Sequence, residues 1–203
     1  MNKQTCNRSV FFYSALFALT TILLAGCATL HPTRQNVVNQ PRLAEGVYLS
    51  SNIHAEARNG HLLASYANWT DTEIHRVIPV NTQVDIHEWD HGFAIVALDN
   101  ERRPVIFEYD ERRMQMRVEE YIEKITSVQE TDLNELSEVD REGIEKGEAM
   151  VGMSKEGVRI ALGFPARHET PSLDDDTWTY WRNRWARYNV IFDQDGEVTA
   201  IQD

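Results

Sequence analysis

Two stretches of this sequence carry residue types that do chemistry at a suggestive spacing. His87-Glu88-Trp89-Asp90-His91 reads H-E-x-x-H, the string in which two imidazoles one helical turn apart share a zinc ion while the glutamate activates water. That chemistry requires a helix. Here the string follows the alternating Thr82-Gln83-Val84-Asp85-Ile86 and runs into Gly92, which predicts a strand and a hairpin turn. Residues four apart on a strand lie about 13 Å from each other, too far to share a metal. A polar hairpin tip is therefore expected, with no metal. The second stretch is His168, Thr170 and Ser172. No nucleophile-elbow glycine pattern surrounds Ser172, and no acid is placed by spacing to orient the histidine. Pro165 and Pro171 predict a shaped loop instead. With no phosphate loop or dinucleotide fingerprint either, the expectation is a non-enzymatic protein with no catalytic residue and no cofactor.

A third group suits recognition. Trp181, Arg182, Arg184, Trp185 and Arg187 form an arginine–tryptophan island in a chain of formal net charge −12. These residue types dominate binding hot spots, so the island is a candidate partner-binding surface. The competing reading is internal: arginines paired with Asp174, Asp175 and Asp176, and tryptophans covering a sheet.

Cys27 has a chemistry of its own. Lys3 and Arg8 precede an apolar run from Val10 to Leu24, a charged region and hydrophobic segment too short to span a bilayer. Leu24-Ala25-Gly26-Cys27 resembles the lipobox of bacterial lipoproteins. The resemblance implies a signal peptide over residues 1–26 and a Cys27 carrying diacylglycerol and an N-linked acyl chain such as palmitate. Ala28 stands where an inner-membrane lipoprotein of a Gram-negative cell commonly has aspartate. The resemblance thus implies sorting to the outer membrane, lipid-anchored and facing the periplasm.

Cleavage there leaves 177 of the 203 residues and removes two cations and no acid, taking the formal net charge from −12 to −14. Such acidity disfavours nucleic acid and anionic lipid as partners. Acyl chains, not charge, would hold the chain to its membrane. Cys6 leaves with the signal and Cys27 is acylated, so thiol catalysis, disulfides and cysteine-ligated metal are excluded. Hydrophobic packing alone must make the core.

The elements that position these residues follow from pattern. Residues 27–45 show neither period and contain Pro32 and Pro41, the signature of a tether about 25 Å long as a flexible coil. From residue 46 the period is two. Val47–Leu49, Leu62–Tyr66, Val84–Ile86, Phe93–Ala97 and Val105–Tyr109 are separated by turn residues, predicting a small all-β barrel-like module. Val118, Tyr121, Ile122 and Ile125 lie on one helical stripe that closes this module at about residue 126. In residues 127–203, Thr131 or Asp132 is placed to cap a helix with Leu133, Leu136 and Val139 inward. Ser154 caps a second, with Met153 and Val158 in staple positions and Gly163 and Pro165 ending it. Thr177–Trp181, Tyr188–Phe192 and Glu197–Ile201 alternate as three strands.

Gly152-Met153-Ser154, Val158, Leu162-Gly163-Phe164-Pro165, Trp178-Thr179-Tyr180, Val190-Ile191-Phe192, Asp195-Gly196 and Val198 resemble the SmpA/OmlA (BamE-like) domain over roughly residues 140–203. The fold class implied is α+β: a BamE-like domain of two helices and a three-stranded antiparallel sheet, preceded by the β module. The insertion His168–Leu173, the island, and the β module itself depart from shorter members. The function implied is a periplasmic protein–protein interaction module, an accessory factor in outer-membrane protein assembly or envelope integrity. Its partners would be envelope proteins and, through Cys27, the bilayer. The alternative is a cell-wall lipoprotein whose Trp69 and Trp89 stack on peptidoglycan sugars.

Overall fold

Strand β6 (Gly92–Ala97) is buried on both faces, and the layers of the molecule follow from that. The structure, a computed structural model, describes residues 32–70, 75–98 and 103–203; Cys27 and the signal segment lie outside them. Phe93 and Ile95 of β6 face a large core whose aromatic centre is Phe93 stacked on Phe107 at 4.6 Å. Ala94 and Val96 face the other way, into a smaller cluster with Val37, Leu63 and Ile106. A strand covered twice reads as a continuous apolar run, and Phe-Ala-Ile-Val-Ala is one.

The other strands are β1 (Arg42–Leu49), β2 (Ile53–Arg58), β3 (His61–Ser65), β4 (His75–Ile78), β5 (Gln83–Trp89), β7 (Val105–Glu108) and β8 (Thr126–Ser127). They form one curled mixed sheet of eight strands in the order β4-β2-β3-β7-β6-β5-β1-β8. All neighbours are antiparallel except β3 and β7, which run parallel with Leu63 opposite Ile106. β5 and β6 are joined at Asp90-His91, and β6 returns along β7 so closely that a Cβ on Gly92 would stand 2.0 Å from the Phe107 carbonyl oxygen. Only glycine allows that approach.

Helices α2 (Glu111–Met114) and α3 (Val118–Ile125) lie under the sheet and add Met114, Tyr121, Ile122 and Ile125 to the large core. α3 carries the stripe its sequence predicts. Two further short helices, α4 (Glu138–Lys146) and α5 (Lys155–Leu162), precede an antiparallel sheet β11-β10-β9 made of β9 (Thr177–Trp181), β10 (Arg187–Phe192) and β11 (Val198–Gln202). Among the described residues no helix is long and apolar enough to cross a membrane.

The expected α+β class is therefore corrected. The described residues are mostly β, an eight-stranded curled mixed sheet plus a three-stranded one with only short helices among them, and not a BamE-like fold of two helices and three strands. The helices do not stand apart as a unit with the small sheet. Buried Asn52, in the β1–β2 connection, donates from its side chain to the Ile144 and Ala161 carbonyls of α4 and α5 and accepts the Val80 N–H at 2.9 Å. Its own N–H donates to the Ile160 carbonyl at 2.8 Å. Phe164, Ala166 and Trp181 pack into the core of the eight-stranded sheet.

Two local expectations also change. Residues 34–38 of the expected tether form helix α1 (Arg34–Val38), because the second apolar face of β6 needs a cover and Val37, fully buried, supplies it. Arg34 fixes the position by donating to the Ala97 carbonyl at 2.8 Å. Thr131 and Asp132 cap no helix. The Thr131 backbone is taken up by the Asn81 side chain, donor and acceptor both, at 2.7 and 2.9 Å. Ser137 caps α4 instead.

Candidate functional site

The H-E-x-x-H string forms the β5–β6 hairpin. His87 is buried in β5 and Nδ1–H donates to the Gln40 carbonyl at 3.1 Å, whereas His91 sits in the turn with its side chain 87% exposed. One imidazole faces the interior and the other faces solvent, so the pair does not converge on a shared ion. No group of three or more histidine, cysteine, aspartate and glutamate side chains placed to hold a metal occurs among the described residues.

His168, Thr170 and Ser172 are likewise separated by the roles the loop gives them. His168 stacks on Trp181 with ring centroids 5.6 Å apart. Thr170 is buried, and its hydroxyl oxygen accepts the Thr179 N–H at 2.9 Å, tying the loop to β9. Ser172 closes a turn on itself: its N–H donates to the Asp175 carboxylate and its hydroxyl accepts the Asp174 N–H. Each group has a structural occupation, and no relay connects them.

The arginine–tryptophan island is split by the β9–β10 hairpin into a held part and a displayed part. Trp181 ends β9 opposite Arg187, half-buried against the large core. Arg182 forms an ion pair with Asp203, with nitrogen–oxygen distances of 2.8 and 2.6 Å, and lies 4.8 Å over the Tyr188 ring. Arg187 pairs with Glu169 at 2.9 Å. Asp174, Asp175 and Asp176, expected as the partners of these arginines, are not. The first two serve the Ser172 turn, and the carboxylates that arrive come from the C-terminus and from the inserted loop. Such exposed pairs contribute about 0–1 kcal/mol each, so they orient the hairpin more than they stabilise it.

Arg184 and Trp185 form the displayed part. The Asn183 side-chain oxygen accepts the N–H groups of Trp185 and Ala186 at 2.9 and 3.1 Å, and Arg182 N–H donates to the Ala186 carbonyl. This fixes the backbone of the turn. Trp185 stands 89% exposed at its tip, the most exposed of the large apolar side chains among the described residues. Arg184 lays its guanidinium 5.4 Å over the ring of Trp69. Trp69 is brought there by a parallel bridge to Trp181 and by Thr70, whose N–H donates to the Trp181 carbonyl at 3.0 Å.

Neither a family model, nor a curated protein, nor a solved structure matches the chain. The site therefore stands on its own geometry.

Trp69 is the participant that sequence reasoning places elsewhere, as a sugar-stacking residue beside Trp89. In the structure both pack on the small cluster formed by Val37, Leu63, Ala94, Val96 and Ile106, and Arg184 covers Trp69. Nothing in the spacing of residues 69 and 184 signals that they meet.

Proposed function

We propose that the chain is a non-enzymatic lipoprotein of the outer membrane, anchored through acylated Cys27, that works by binding envelope proteins through the β9–β10 hairpin. The observation that carries the reading is Trp185. A side chain that large gains about 1.5–3 kcal/mol on full burial, yet here it is held in water on a turn whose backbone is fixed by Asn183. Preorganised display of an aromatic beside an arginine is the arrangement that anchors protein interfaces. The membrane location rests on the lipobox residues and on Ala28. An accessory role in outer-membrane protein assembly rests on the SmpA/OmlA resemblance of the residues alone, since the fold that resemblance implied is corrected above. Protein contact is better supported than sugar stacking, because Arg184 covers the Trp69 ring that a sugar would need.

Labelled palmitate tests the anchor. The expected result is incorporation into the protein that is lost in Cys27→Ser, together with a shift of the variant out of the outer-membrane fraction. Absence of label, or unchanged fractionation of Cys27→Ser, overturns the localisation.

A further inference from the structure

Strand β1 is paired along only part of its outer side. β5 accompanies it on the inner side, from Arg42 opposite His87 to Tyr48 opposite Gln83. On the other side only Tyr48 and Leu49 have a partner, the two-residue β8. Arg42–Val47 therefore has no strand beside it on that side among the described residues, an open run about 20 Å long. The remaining sheet edges are shorter or occupied. β4, at the far end of the same sheet, has four residues, and Gly147 at the end of α4 lies against its Val77. In the small sheet Trp69 bridges to Trp181 of β9. Val198 of β11 exchanges backbone hydrogen bonds with Gly152 and Met153 at 2.7 and 2.8 Å.

The open run borders a groove of about 380 Å³ between β1 and α3. Leu43, Ala44, Val47, Ile122 and Val128 make its lining apolar. Val128 is 83% exposed, second only to Trp185 among the large apolar side chains described. An unpaired edge and an uncovered apolar strip thus coincide. Together they are the two halves of a strand-addition site, in which main-chain pairing gives affinity and side-chain contacts give specificity.

The charge of the groove has one sign. Glu119 and Glu123 line it from successive turns of α3, and no lysine or arginine does. Neither glutamate has an ion pair among the described residues, whereas Glu120 between them pairs with Arg117 at 3.5 Å. Arg42, the cation of β1, is taken by Glu45 and Asp85. Two like charges one turn apart work against the eight-residue α3, and a cationic occupant relieves them. A second copy pairing edge to edge would instead set both pairs of glutamates against each other, in a chain of formal net charge −12. The charge selects a different partner.

We propose that the open edge of β1 and this groove take up a short extended segment of a partner protein, alternately apolar and cationic, which pairs with Arg42–Val47 in line with β8. Its apolar side chains cover Val47, Ile122 and Val128, and its lysines or arginines reach Glu119 and Glu123. Register shifts between Arg42 and Ala44 and between Ala44 and Val47 bend β1 and limit the occupant to a few residues. Gly46 stays outside the new ladder, because its N–H donates to the Asp85 carboxylate at 2.8 Å and its carbonyl accepts from the Gln83 amide at 3.2 Å. This surface is distinct from the β9–β10 hairpin and does not rest on the reading given to it.

The probe is the peptide acetyl-(Val-Lys)3-amide, titrated into the full chain and followed by calorimetry and amide resonances. One peptide should bind per chain, more weakly as salt is raised, with amide exchange slowed within residues 42–47. The same peptide with every backbone nitrogen methylated, and acetyl-(Val-Glu)3-amide, should each bind at least about tenfold more weakly. Combined Glu119→Lys and Glu123→Lys, at exposed positions where the fold is little affected, should reverse the preference in favour of the glutamate peptide. Val128→Ser, at a position equally free of the fold, should weaken the lysine peptide. No saturable binding, equal binding of the methylated peptide, or a retained lysine preference in the folded reversed variant would overturn the proposal. Protection of residues 42–47 that appears on concentrating the protein alone would also overturn it, by assigning the edge to a second copy.

Discussion

The Asp140 carboxylate, in the first turn of α4, accepts the backbone N–H of Ser154 at the start of α5 at 2.8 Å. The same carboxylate accepts the N–H and hydroxyl of Ser137, the cap of its own helix. One buried anion thus serves two helix N-termini, where backbone donors and helix dipoles both favour negative charge. It approaches α5 so closely that a Cβ on Gly157 would stand 1.9 Å from Asp140 Oδ1. Gly157 therefore makes room for the carboxylate, despite a cost of up to about 1 kcal/mol to the helix.

Asp140→Ala is expected to destabilise the fold by about 3 kcal/mol, since it strands donors at both caps. Gly157→Ala alone is expected to be damaging as well, by about 1–3 kcal/mol from overpacking. In the Asp140→Ala background the clash is absent, so the second substitution should cost far less than it does alone. Urea denaturation of the four proteins measures this coupling, and strict additivity would contradict the geometry.

His54 predicts a pH dependence of stability. Its Nε2–H donates to the Ala161 carbonyl at 2.7 Å, which leaves Nδ1 to accept from His75 Nε2–H at 2.9 Å. Burial, opposed by the bond to Ala161 and reinforced by His75, lowers its pKa from 6.5 to about 4. The unfolded chain therefore binds a proton between these values that the folded chain refuses. Stability from this group is complete above about pH 6.5 and falls as pH drops towards 4, by roughly 3 kcal/mol. His54→Gln keeps a donor and an acceptor without a titrating group. Its unfolding free energy should be flatter than that of the parent between pH 4 and pH 6.5, and parallel curves would contradict the assignment.

Asn81 predicts a local effect. Its side chain clamps both backbone groups of Thr131 while its own backbone is left-handed, with φ +64°. Asn81→Gly keeps the backbone and removes the clamp. Amide exchange should accelerate at Thr131 and its neighbours with little change in the strands of the large sheet. Equal acceleration throughout would show that the clamp does not act locally.

At the hairpin, folding and recognition should separate. Trp185→Ala removes a side chain that makes little contact with the fold, so stability should change by no more than about 0.5 kcal/mol. Affinity for a partner should fall by about 2 kcal/mol or more if Trp185 is an anchor. Arg184→Ala uncovers Trp69 and should raise its accessibility to a fluorescence quencher. An unchanged quenching constant would argue that the two side chains do not meet in solution.

What was legible in the sequence follows from the range of the forces involved. The α5 helix was readable because its signals are local: Ser154 accepts the Gly157 N–H, Met153 and Val158 are fully buried, and Gly163 ends the helix. Strands β5, β6 and β7, the α3 stripe and the hairpin fate of H-E-x-x-H were readable for the same reason. β2 was not, because Ile-His-Ala-Glu-Ala-Arg shows no clean alternation; His54 is tolerated inside only because Ala161, 107 residues away, accepts from it. The fold class was misread because strand order is not a local property. Nothing near β3 announces its parallel partner β7, and nothing near Asn52 announces the carbonyls of α4 and α5 that it holds. The displayed tryptophan was visible as a residue type, but which of Trp181 and Trp185 would be held and which exposed depended on the turn that Asn183 builds.

Photocrosslinking in intact cells tests the central claim most directly. A photoreactive amino acid is placed at Trp185, with Asp195 of the β10–β11 turn as an exposed control position. The account predicts discrete adducts with envelope proteins from position 185 that are absent from position 195 and diminished by Arg184→Ala. No adduct from position 185, or the same adducts from both positions, would contradict it.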